Sequence, residues 1–271
     1  MRVAVVGHVE WVEFVRVERV PMAGEIVHAE RGWEEPAGGG GVSVVQLLDL
    51  AGRATLFTAL GDDDLGHRAA AELERLGVRV HAAHRTDEPQ RRAVTFLDDA
   101  GERTITTIGH RLTPRGDDPL PWEELDQADA VYLTAGDAAA MHAARRARVL
   151  VATSRVLADL VAADVRLDAL VGSEHDEAER FELGTMQPAP GLEVLTSGRD
   201  GGRYLTADGT TGSWDAAPIP GPVEDAYGAG DSFAAGLTHA LGAGMGTDQA
   251  LAFAAARGAL ALTRRGAHGG R

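Results

Sequence analysis

Short apolar runs alternate with alanine- and leucine-rich stretches of helical period along most of this chain. A continuous apolar run bounded by glycine or polar residues predicts a strand buried on both faces, and positions spaced three and four apart predict a helix. On that basis Val3–Val6, residues 55–59, Ala130–Leu133 and residues 149–152, 169–171 and 193–196 are strands. Residues 42–51 and 67–76 are helices, and the last third closes on two more, 232–241 and 247–262. Strands and helices in alternation predict an α/β fold with a mostly parallel sheet between helices.

Two regions break this order. Residues 11–18, 25–33 and 92–96 alternate apolar with polar positions, and Arg103–Ile108 does so again after a turn at Asp98, Asp99, Ala100 and Gly101. Period-two alternation predicts half-exposed strands, set apart from the buried sheet. No linker, repeat or low-complexity segment divides the chain, so one domain is expected over residues 1–271.

Composition narrows the function classes. A net charge of −15 with no basic run disfavours nucleic acid and acidic membranes as partners. No apolar run is long enough to span a bilayer. There is no cysteine, hence no disulfide or thiolate metal site, and a cytoplasmic setting is expected. All 26 basic residues are arginine, which excludes any mechanism that needs a lysine. The histidines are scattered without paired ligand spacing and are read as surface or core residues.

The chemistry concentrates at Asp225-Ala226-Tyr227-Gly228-Ala229-Gly230-Asp231, a glycine-rich turn leading into an apolar helix. Small residues there let backbone amides crowd around an anion, and the helix terminus adds favourable partial charge. A carboxylate would repel a phosphate unless it served as a base for an attacking hydroxyl, which is what phosphoryl transfer to an alcohol requires. A plain helix cap is the alternative.

This run resembles the signature of the PfkB (ribokinase-like) carbohydrate kinases, with Ala226 where the family has threonine. Further matches follow in family order: Gly38, Gly39, Gly40 and Gly41; Gly61, Asp63 and Gly66; Thr196, Gly198 and Gly201; and Gly266-Ala267. The resemblance implies a ribokinase-like fold in which the alternating strands, about 11–33 and 92–108, form a small β-sheet lid. It implies ATP and Mg²⁺, with Asp231 as base and Gly228, Ala229 and Gly230 as anion hole. Thr196, Gly198, Arg199 and Gly201 would bind nucleotide, with Arg199 or Arg203 neutralising phosphate. Glu10, Gly38, Gly39, Gly40 and Ser43 would bind a sugar, polyol or nucleoside, Glu177 would help place the metal, and a homodimer would form through the lid.

Two departures bear on the acceptor. The family's hydroxyl-binding Asp falls at Val12, and its Asn falls at Ser43. A buried site loses about 1–3 kcal/mol for each hydroxyl left unpaired, so ribose held in the usual way is not expected. Either Glu10 substitutes, or the acceptor carries an apolar group against Trp11 and Val12. Glu174 replaces the family's Asn before Glu177. The readings carried forward are a sugar kinase, a nucleoside kinase and a non-catalytic binding protein on the same fold.

Overall fold

A computed structural model describes residues 1–99 and 101–270. Ala100, in the turn expected at 98–101, and Arg271 lie outside the described residues. The chain runs β1 (Val3–Val6), β2 (Glu10–Arg16), β3 (Arg31–Ala37), α1 (Gly38–Ala51), β4 (Ala54–Gly61), α2 (Asp64–Arg75) and β5 (Arg79–Arg85). It continues through β6 (Arg92–Leu97), β7 (Arg103–Ile108), β8 (Ala130–Leu133), α3 (Ala138–Arg145), β9 (Leu150–Thr153), α4 (Leu157–Ala162), β10 (Ala169–Ser173) and β11 (Leu192–Thr196). The hairpin β12 (Gly202–Thr206) and β13 (Thr211–Trp214) precedes α5 (Ala229–Gly242) and α6 (Thr247–Ala261).

Nine strands form the main sheet in the order β13-β12-β11-β10-β9-β8-β1-β4-β5. It is parallel from β11 to β5, and only the β12–β13 hairpin runs antiparallel. Buried side chains form one cluster toward α1, α2, α5 and α6, and a second toward α3 and α4. Strands coated on both faces need no alternation, which is why the buried strands read as plain apolar runs. No helix among the described residues is long and apolar enough to cross a membrane.

The chain leaves β1 for one side of the sheet (β4, β5) and returns on the other (β8 onward), so the strand order reverses between β1 and β8. In such sheets the crevice at the carboxyl ends of the strands beside the reversal is where ligands bind. His8 and Thr134 emerge there.

The alternating strands pair only with one another, in a separate sheet of order β3-β2-β6-β7. This is the expected small sheet, with one correction: its second strand is Arg31–Ala37 rather than 25–33, because residues 25–30 form no ladder. Phe14 anchors it, stacked on Trp33 at 5.1 Å and edge-on to Tyr227 at 4.8 Å. Val12, Phe14, Ala37, Val42, Ala93, Leu97, Tyr227 and Ala267 make the small core beneath it. Trp11 and Val12 are both buried in packing, and the Arg68 guanidinium lies 4.4 Å over the Trp11 ring. Both side chains are therefore taken up in packing within the protein.

Candidate active site

Both glycine segments prove to be helix starts rather than loops. Helix α5 begins at Ala229, capped by Gly228 at φ 73°, so Asp231 sits inside the first turn. Only glycine adopts that φ cheaply, and a Cβ there would also approach Val42 Cγ1 to 2.9 Å. The first intrahelical bond runs from Ser232 N–H to Gly228 O at 2.8 Å. The amides of Ala229, Gly230 and Asp231 thus precede the helix ladder and are the donors an anion would meet. A Cβ on Gly230 would touch nothing within 4 Å, so this side of the turn is open.

Helix α1 likewise begins at Gly38, four residues ahead of the expected start, so the glycine run is its first turn. Close approach explains the composition. A Cβ on Gly40 would come within 2.6 Å of His8 O, and one on Gly38 within 3.1 Å of the Glu10 side chain. A Cβ on Gly39 would stand 3.4 Å from each of Asp231 Oδ1, His8 Cε1 and Thr134 Cβ. Asp231, the glycine turn and the residues just past the ends of β1 and β8 therefore meet at one place. Ser43 is fully buried, and its hydroxyl has no hydrogen-bond partner among the described residues.

The Asp231 loop is braced from both ends. The buried Asp225 carboxylate accepts from Tyr227 N–H and from Gly266 N–H, each at 2.8 Å. Ala267 N–H donates to Glu35 at 2.7 Å, so the C-terminal Gly-Ala ties the loop to β3. From the lid, Arg103 donates to Ala226 O at 3.0 Å. Burial drives the Asp231 carboxyl up to about 7, reinforced by the negative charge of Glu179. A carboxylate poised there is a stronger base than an ordinary aspartate and still ionises near neutrality.

The nucleotide-side residues fare unevenly. Gly198 and Gly201 have φ of 56° and 80° and shape a tight turn after β11. A Cβ on Gly201 would clash with Trp214 O at 1.9 Å. The Thr196 hydroxyl donates to Gly172 O at 3.1 Å, bridging two strands, and Arg199 is exposed. Arg203 pairs with Glu174 at 2.5 Å, and Ser197 donates to that same carboxylate, which holds its pKa below the usual range.

Glu177 is exposed on the acidic turn. Its neighbours Asp176 and Glu179 turn inward onto Arg155, with Glu179 at 2.8 Å. Glu179, rather than Glu177, is the carboxylate whose charge reaches Asp231. Removing it as Glu179→Gln is expected to lower the Asp231 pKa, so the acid limb of kcat/KM against pH moves to lower pH. An unmoved limb would mean that Asp231 does not govern it.

Several residues were missed in the sequence. His8, buried beside Glu10 at 3.9 Å, follows β1. Arg91 pairs with Glu10 at 2.7 Å. Arg111 and Arg155 act on the same pair, and with Arg91 and burial they hold His8 well below the usual imidazole range. Burial raises the Glu10 carboxyl, against the pull of the arginines. The scattered histidines do meet once, where His67, His84 and Asp62 place ligand-type atoms within 4.8 Å of one another. All three are exposed.

Comparison with known proteins settles the class. The profile described as pfkB family carbohydrate kinase matches residues 1–270. The chain belongs to the pfkB family of carbohydrate kinases. Membership makes it an ATP-dependent sugar kinase in class, as its signature implied. It is 32% identical over 287 aligned positions to the ATP-dependent ribose-1-phosphate kinase of Halopiger xanaduensis, covering 98% of this chain and 94% of the relative. Its fold resembles that of Arabidopsis thaliana ribokinase complexed with ribose and ATP, at 21% identity and TM-score 0.74 over 97% of this chain and 93% of that one. It also resembles the Methanocaldococcus jannaschii nucleoside kinase, at 16% identity and TM-score 0.73 over 98% and 93%. One fold thus carries sugar and nucleoside kinases, and the acceptor has to be argued from side chains.

Proposed function

We propose that this pfkB-family chain transfers the γ-phosphoryl group of ATP to a hydroxyl of a sugar, with Asp231 as the base. The observation that carries the reading is the meeting of Asp231 with Gly39, His8 and Thr134, beside the open first-turn amides of α5. The acceptor oxygen attacks the γ-phosphorus, its proton passes to Asp231, and the bond to the β-phosphate oxygen breaks to release ADP. The amides of Ala229 and Gly230 stabilise charge on the transferred group, and the α5 dipole adds to them. Gly228 serves this hole through its backbone turn.

Magnesium supplies charge neutralisation for the phosphates when it arrives with the nucleotide, taking most of its ligands from phosphate and water. Glu177 is the carboxylate of the acidic turn left exposed to solvent, and it fits as a contributor of one oxygen. The adenine nucleotide itself would lie along the turn at Gly198 and Gly201, with Arg199 at its exposed edge. A second copy would pair at β7, the lid's outer strand, which is exposed throughout and presents Ile105 and Ile108.

The test is ADP release with ATP and a panel of ribose 1-phosphate, ribose, other sugars, polyols and nucleosides. Ribose 1-phosphate comes first because it is the acceptor in the name of the Halopiger relative. Turnover of a sugar that disappears in Asp231→Asn supports the reading. Preference for a free nucleoside would move the assignment to a nucleoside kinase, and no turnover of any acceptor would favour a binding protein.

A further inference from the structure

Among the described residues, one group of metal-ligand side chains converges, at the start of α2. Asp62 lies in the turn between β4 and α2, His67 is in the first turns of that helix, and His84 is next to the end of β5. Their ligand-type atoms all lie within 4.8 Å of one another. His67 Nε2 is 3.3 Å from Asp62 Oδ1, and the His67 and His84 rings stack at 5.0 Å with planes 26° apart. An ion pair accounts for His67 and Asp62 and leaves the second ring unexplained. A tetrahedral zinc ion with ligands at 2.0–2.1 Å sets neighbouring ligand atoms about 3.3 Å apart. That is the separation of His67 Nε2 and Asp62 Oδ1.

The backbone under these side chains is fixed. Asp62 N–H donates to Arg85 O at 2.9 Å, and His84 pairs with Leu60 in the β4–β5 ladder. Asp63 caps α2 by accepting from Gly66 N–H at 2.9 Å. A Cβ on Gly66 would meet Gly61 O at 2.0 Å, so the first turn of α2 is pressed onto the end of β4. Ligands on such elements are held in place better than ligands on a free loop. His84 Nδ1 faces Gly61 O at 3.5 Å, and a ring that donates there keeps its Nε2 lone pair for a metal.

Local charge favours a cation. Asp63 and Asp64 follow Asp62 directly. The arginines next to the two histidines are engaged elsewhere: Arg85 with Asp118 at 2.6 and 2.8 Å, and Arg68 with Glu34 and over the Trp11 ring. Two imidazoles and one carboxylate suit zinc and its neighbours in the transition series, whereas magnesium and calcium take oxygen ligands.

We propose that Asp62, His67 and His84 bind a divalent transition metal of the zinc class, with water completing its coordination. The ion ties the turn before α2 to the end of β5, and it is distinct from the magnesium that arrives with the nucleotide. Because binding itself is the readout, the test does not depend on which acceptor the enzyme uses.

Untagged, nucleotide-free protein titrated calorimetrically with Zn²⁺ is expected to bind one equivalent. His67→Ala and His84→Ala should each weaken that binding by at least the order of 10–100-fold, the loss seen when even an outer-sphere partner is removed. Both rings are exposed, so either substitution leaves the core in place. Zinc at roughly 100-fold above its Kd should raise Tm by about 5–10 °C in the wild type, and a chelator should reverse the rise. Neither variant should respond at that concentration.

Zinc binding of equal strength in the wild type and both variants would overturn the site, as would a wild type that takes up no zinc. A Tm rise that persists in both variants would do the same. Displacement of zinc by an equal concentration of Mg²⁺ would overturn the choice of metal class.

Discussion

Asp231→Asn is expected to lower kcat by a factor on the order of 10² or more, with ATP affinity nearly intact. The substitution keeps the shape and one acceptor oxygen of the side chain, and it leaves the α5 amides where they are. What disappears is the ability to take a proton from the acceptor hydroxyl. Because burial and Glu179 push this carboxyl up to about 7, the wild-type enzyme should show its own titration. The base works only when ionised, so kcat/KM should rise with pH through about 7 and level off above it. In Asp231→Asn that limb should vanish along with most of the rate. Steady-state kinetics from pH 5 to 9, with nucleotide binding measured separately, checks both statements. A variant with wild-type turnover would remove Asp231 from the mechanism.

Phe14→Ala is expected to destabilise the protein by about 3–5 kcal/mol, as truncation of a buried aromatic does. Phe14 is fully buried and is shared by three parts of the molecule. Its ring stacks on Trp33 of β3 and meets Tyr227 edge-on, and its neighbours in the small core include Val42 of α1. The small sheet and the loop before α5 therefore rest on one side chain. Beyond the cavity, the aromatic pairs add about 0.5–1.5 kcal/mol each. Tyr227 N–H is held by Asp225, so loosening its ring should also disturb the turn at Gly228 and lower kcat at temperatures where the fold survives. Urea unfolding measures the first effect, and kinetics well below the unfolding midpoint measures the second. Phe14→Leu should lose less than half as much stability. A loss under about 1 kcal/mol for the alanine variant would show that the lid core repacks around the gap.

The relation of sequence to structure differs from element to element. Val3–Val6 and Ala130–Leu133 form strands over the residues their pattern predicts, because burial on both faces leaves a continuous apolar run, and Arg103–Ile108 does so although it is exposed throughout, because its β-branched residues alternate after a turn. Strand β5 and the β12–β13 hairpin escaped notice. They are edge elements with polar residues on many positions, as in Arg79–Arg85, and such edges carry little hydrophobic signal. The early starts of α1 and α5 were illegible for the opposite reason. Glycine is a poor helix former, and close contacts with β1, β2 and Val42 account for Gly38, Gly40 and Gly228 in ways that no local pattern shows.

The amino-acid sequence by itself determined the class: an α/β sheet, a separate small sheet, and a Gly-Ala-Gly-Asp turn suited to moving a phosphoryl group. These follow from local periodicity and from neighbours in the chain, which survive in one dimension. The tertiary structure alone decided that Trp11 and Val12 are packing residues, that the charge of Glu179 rather than Glu177 reaches Asp231, and that His8 stands near that carboxyl. It alone set Arg91 against the buried Glu10, at 2.7 Å. In a chain whose basic residues are all arginine, no single arginine stands out. Charge acts through space, and residues on separate loops become partners only when the sheet brings the ends of its strands together.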